Sequence, residues 1–122
     1  MALLAPAVRA DPADGVEKHY SADYRACMAR GLSTYEMKDC IAAEQARWDT
    51  QLNARYQALM KSLPPDRAAA LRARERSWLA GRRRTCDHAG DSEAGGTAQG
   101  VEVDACYMDE TIRRTLFLKD YG

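Results

Sequence analysis

At 122 residues the chain suits one small domain with a thin core. Aromatics make up 7% and charged residues 30%, with Lys+Arg and Asp+Glu equal at 18 each. That balance excludes a globally basic nucleic-acid binder, and it leaves burial largely to Leu, Ala and Met on helices.

The N-terminus reads "MALLAPAVRADPADG". Its apolar run and the small residues of "VRA" suggest that residues 1–10 are the tail of a secretory signal peptide without its basic n-region. A frayed extension is the alternative. The run is too short to span a membrane, and no other run approaches spanning length. Residues 11–122 are expected to be one mature domain, periplasmic or secreted.

Residues 11–20, "DPADGVEKHY", read as a loose polar lead-in. "SADYRACMARG" opens on Ser21, a good N-cap, and stops at Gly31, which predicts a short helix. "STYEM" repeats the start signal at Ser33 or Thr34. A long helix follows over about 34–62, with Met37, Ile41, Trp48, Leu52, Tyr56, Leu59 and Leu63 at steps of three and four. Cys40 and Glu44 continue that stripe. Pro64-Pro65 ends it, and Pro65 and Asp66 begin a third helix. Its core stripe is expected at Ala68, Leu71, Glu75, Trp78, Leu79 and Arg82. Residues 87–103 carry four glycines and read as a loop. A last helix is expected over about 104–119, capped by Asp104, with Tyr107, Thr111, Leu116 and Leu118 partly inward. No strand signal is present. The expected fold is all-α: a small helical bundle built on a long antiparallel hairpin and pinned by two disulfides.

The disulfides follow from Cys27, Cys40, Cys86 and Cys106, an even count in a chain with an export-like start. Four cysteines allow three connectivities. Cys27–Cys40 with Cys86–Cys106 is favoured, because each bridge joins neighbouring segments. A zinc site lacks its spacing: there is no C-x-x-C, and His19 and His88 are not paired. No cofactor is implied. No catalytic constellation is visible either. Asp49 with Glu44 or Glu75 imitates a glycosidase carboxylate pair, but such a pair needs a cleft. The run "GRRRTC" reads as a solvated helix end rather than a polyanion site, since cations near a helix C-terminus oppose its dipole favourably.

Asp49 and Asn53 are poor helix formers in the middle of a long helix. They are expected to lock register through a buried polar network. In that network Asp49 pairs with Arg82 or Arg114, and Asn53 and Tyr56 bridge helices. Trp78 is expected to be a core aromatic.

Three segments together carry a family resemblance. They are "CMARGLSTYEMKDCIAAEQARWDTQLNARYQALMKSL", "LRARERSWLAGRRRTC" and "GGTAQGVEVDACYMDETIRRTLFL". In order and spacing they resemble the LprI-type lysozyme inhibitors. The pattern of that family is C, T-x-x-E-M-x-x-C, D-x-x-L-N-x-x-Y, Q-R-x-W-x-x-x-R-x-x-x-C, G-G-S and C-x-x-x-x-T-x-x-R. The matches include Cys27, Thr34, Met37, Cys40, the Leu52-Asn53 pair and Tyr56. They continue through Arg76, Trp78, Arg82, Cys86, Gly95, Gly96, Cys106, Thr111 and Arg114. Two positions depart: Glu75 stands for Gln and Thr97 for Ser.

The resemblance implies an exported, non-enzymatic helical protein whose partner is a lysozyme-type muramidase. The alternative is a cell-envelope structural or interaction module with no lysozyme affinity. Lysozyme clefts carry two carboxylates. The expected partner-binding groups are therefore hydroxyls and cations on the 87–103 loop: Ser92 and Thr97, with Arg83 and Arg84 at its base. A helix face around Lys38 and Arg47 is the alternative contact.

Overall fold

The structure, a computed structural model, describes residues 15–91 and 97–122. The expected signal-peptide remnant at 1–10, together with Ser92, Gly95 and Gly96, lies outside the described residues. Within them the chain is helical and carries no strand. A short 3-10 turn, Val16–His19, precedes α1 (Ala22–Met28), α2 (Thr34–Ser62), α3 (Pro65–Cys86) and α4 (Thr97–Lys119).

The helix ends follow local chemistry. Ser21 Oγ accepts from Tyr24 N and starts α1. Gly31 follows α1 at φ 67°, a left-handed conformation that costs glycine little. Ser33 and Glu36 form a reciprocal capping box at the start of α2. Leu63 adopts extended backbone after α2, as the residue before a proline is driven to do. Pro65 then occupies the first turn of α3, where a missing N–H costs nothing.

Three expectations are corrected. The polar lead-in is not loose over residues 15–20: Val16 is buried, and its turn packs against α4. The last helix starts at Thr97, seven residues before its expected Asp104 cap. The glycines misled here. Gly100 lies inside the helix, where a Cβ would stand 2.9 Å from Lys38 Nζ. The bare backbone makes room for Lys38 to pair with Asp104 at 3.2 Å. Leu79 is 43% exposed rather than core, because it lies about 100° round the helix from Trp78.

Both disulfides connect as expected. Cys27–Cys40 ties α1 to α2, and Cys86–Cys106 ties the end of α3 to α4, with Cα separations of 5.8 and 5.4 Å. Each closes a short loop, worth roughly 3 kcal/mol in the loop-entropy description.

The hairpin of α2 and α3 turns at Pro64, and α4 lies against both arms. The most extensive packing is between α2 and α4. The core has two parts. One gathers Val16, Tyr24, Ile41, Trp48, Met108 and Ile112. The other gathers Leu52, Leu59, Leu71 and Leu118. Fully buried Thr111 and Thr115 on α4 satisfy their hydroxyls on the backbone one turn earlier. Met108, Ile112 and Thr115 were missed as core positions, because α4 packs against α2, α3 and the 3-10 turn and so buries a wider face than one stripe.

Candidate functional site

The antiparallel course of α2 and α3 leaves a groove of about 230 Å³ between them. The α2 wall presents Asp49, Leu52, Asn53 and Tyr56. The α3 wall presents Arg72, Glu75, Arg76, Trp78, Leu79 and Arg82. Two helical motifs that were separate in the sequence, D-x-x-L-N-x-x-Y and E-R-x-W-x-x-x-R, therefore meet across one cleft. Only Arg72 and Leu79 among the lining residues fall outside them.

Below the groove lies the polar network, with a different membership from the one expected. Arg82 Nη1 donates to Thr111 Oγ1 at 2.9 Å. Gln45 Nε2 donates to the same oxygen at 3.1 Å, so one hydroxyl on α4 joins α2 to α3. Arg114 pairs with Glu75 at 2.5 Å, both side chains nearly buried. Arg82 also lies over the rings of Trp78 and Tyr107, at 4.7 and 5.1 Å from their centroids. Arg114 approaches Trp78 and Phe117. Trp78 is thus half-buried and flanked by two guanidinium groups. Arg82 Nε and Arg114 Nη2 are buried with no hydrogen-bond acceptor among the described residues.

Asp49 and Asn53 do not enter this network. Both are exposed on the rim, and Asn53 Nδ2 reaches Asp49 Oδ2 only at 3.5 Å. Asp49 follows Trp48 by one residue, about 100° round the helix, so it points to the groove edge while Trp48 takes the core. The arginines it was expected to meet are held by Thr111 and Glu75. Tyr56 is half-buried against the second core cluster. No hydrogen bond joins it to Asn53 among the described residues.

The loop expectation fares differently. Arg83 and Arg84 are exposed near the end of α3. Thr97 is the first residue of α4, so residues 97–103 are helix, and Ser92 lies outside the described residues.

Sequence reading placed Glu44 on the inward stripe of α2 but gave it no partners. Glu44 is fully buried between α1 and α2. Its Oε1 accepts from Ser21 Oγ at 2.6 Å and from Arg47 Nε at 2.9 Å. Its Oε2 accepts from Ser21 N at 2.7 Å and from Trp48 Nε1 at 3.1 Å. Burial pushes the Glu44 carboxyl upward. The hydrogen bonds from Ser21, Arg47 and Trp48 outweigh it and hold the group below the usual carboxylate range. An acid on an apolar stripe, four residues before a tryptophan, was the available signal. Arg55 was missed too: it reaches the carbonyls of Leu118 and Lys119 and caps the end of α4.

Among the described residues no cluster of three or more His, Cys, Asp or Glu is placed to hold a metal ion, and no helix is long and apolar enough to cross a membrane. The family described as "Lysozyme inhibitor LprI" matches residues 25–118, a span that contains all four cysteines and the whole groove. No individual curated protein and no solved structure shows significant similarity. Most of the chain, from α1 to the last turn of α4, therefore belongs to the LprI lysozyme-inhibitor family.

Proposed function

We propose that this protein is exported and inhibits a lysozyme by binding it, so that the cell wall is protected. The observation that carries this is membership of an inhibitor family over residues 25–118. The architecture supports a binding role. Two disulfides and three interlocked long helices hold the surface in place before a partner arrives, which limits the ordering entropy lost on association. The buried acids are committed to structural partners. Glu44 is closed in by four donor groups and Glu75 is held by Arg114, so neither is a free general acid or base.

The test is residual cell-wall lysis by lysozymes of several types, with the purified disulfide-bonded protein in micromolar excess. Saturable inhibition of at least one type is the expected result. Full lysis by every type would remove the inhibitor reading and leave an interaction module of the cell envelope.

A further inference from the structure

The chain is neutral overall, but α3 is not. Between Pro65 and Cys86 it carries seven arginines against two acids, and one of those acids, Glu75, is buried against Arg114. Arg72 and Arg76 stand exposed one turn apart on the groove wall, with no ion-pair partner among the described residues. Beside them, Leu79 is exposed, and the groove also presents Leu52 and Trp78. The opposite wall carries the acid Asp49.

We infer that this groove is the surface that holds the protein partner, and that it seats a carboxylate side chain of the partner flanked by an apolar one. The carboxylate meets Arg72 and Arg76, whose planar forks donate to both of its oxygens. The apolar neighbour covers Leu79 and the edge of Trp78. Asp49 repels the carboxylate from the α2 wall and so fixes which way the segment lies. Tryptophan, tyrosine and arginine gathered in one concavity are the residues that dominate protein–protein binding energy. An acidic sugar is the weaker candidate, because the faces of Trp78 are approached by Arg82 and Arg114 and offer little ring for a pyranose to stack on. That the partner is a lysozyme rests on the function proposed above; the chemistry of the groove does not.

Two measurements decide it. If the wild type inhibits a lysozyme, the R72E/R76E double variant is compared with Arg67→Glu, a charge reversal at an exposed arginine that does not line the groove. All are first shown to melt as the wild type does. The double variant is expected to need roughly tenfold or more protein for half-inhibition, and Arg67→Glu no more than wild type. Unchanged inhibition by the double variant, or equal loss in Arg67→Glu, overturns the groove.

If the wild type inhibits no lysozyme, amide chemical shifts are followed while acetyl-Leu-Glu-Leu-amide or its Gln counterpart is added. Saturable shifts at the Trp78 indole N–H and the Asn53 side-chain amide with the Glu peptide alone uphold the groove without the lysozyme. No such shifts, or saturation by N-acetylmuramic acid instead of the peptide, overturns it.

Discussion

Glu44 and Glu75 are both acids on core stripes, and they are satisfied in opposite ways. Glu44 uses both oxygens, each accepting from two groups, and its donors include a backbone N–H, a hydroxyl and an indole. Glu75 uses one oxygen, and among the described residues its one partner is the Arg114 guanidinium. Around Glu44 every donor that faces the carboxylate is matched. Beside Glu75, the Arg114 nitrogen Nη2 is buried and finds no acceptor among the described residues. The difference separates two jobs. The Glu44 site ties the N-terminal segment to α2 and lies inside the domain. The Glu75 site braces the floor of an open groove, where incomplete pairing leaves polar capacity beside the surface.

The contrast predicts the largest effect at Glu44. Glu44→Ala is expected to destabilise by about 3–5 kcal/mol, because Trp48 Nε1 and Ser21 N lose their acceptor in a closed site. Glu44→Gln is expected to fail to rescue it. An amide has one acceptor oxygen, and its NH2 would face donors that both carboxylate oxygens now accept. Thermal or urea unfolding checks both, and a Gln variant as stable as wild type would break the contrast.

The same site gives a pH dependence. The folded Glu44 carboxyl is held below its ordinary value. Its contribution is therefore complete above the carboxylate range of the unfolded chain and is lost as pH falls through the lower folded value. Melting temperature followed from about pH 7 to about pH 3 should fall more steeply in the wild type than in Glu44→Gln. Parallel acid limbs would show that other carboxylates carry the acid sensitivity.

Glu75→Gln is expected to cost less than about 1.5 kcal/mol. A single amide oxygen can accept from Arg114 Nε as the carboxylate does, and Gln is the residue that stands here in the pattern the chain resembles. A loss as large as that of Glu44→Gln would mean that Glu75 is as enclosed as Glu44, and the two sites would not differ in kind.

What the sequence disclosed, and what it hid, follows the range of each signal. Caps, prolines and the 3.6-residue stripe act within a few residues. They placed α1, α2 and α3 within a residue or two, from Ser21, Ser33 and Pro64-Pro65. The four cysteines disclosed their own pairing, because each bridge spans adjacent segments. The start of α4 was hidden by Gly100, which sits inside the helix beside Lys38, a residue sixty-two positions away. The polar network was hidden likewise. Arg82 and Arg114 were identifiable as its cations, but their partners depend on rotations about helix axes that a single stripe does not specify. Thr111 matched the family pattern, yet its role as the shared acceptor of Gln45 and Arg82 needs three helices at once.

Asp49 is where the smallest effect is expected. Its place in the middle of a long helix, against its propensity, invited a structural reason, and a buried partner would have made Asp49→Ala cost several kcal/mol. The structure removes that reason: the carboxylate is exposed, its one hydrogen bond is long, and both candidate arginines are held elsewhere. Ala is the better helix former, so Asp49→Ala should leave stability within about 0.5 kcal/mol of wild type. Its effect belongs to binding instead. If Asp49 orients an acidic partner by repulsion, its removal relaxes the choice of partner rather than weakening the fold. Unfolding curves for Asp49→Ala and wild type that differ by several kcal/mol would return Asp49 to the interior network. Coincident curves with altered partner selectivity would leave it on the groove wall.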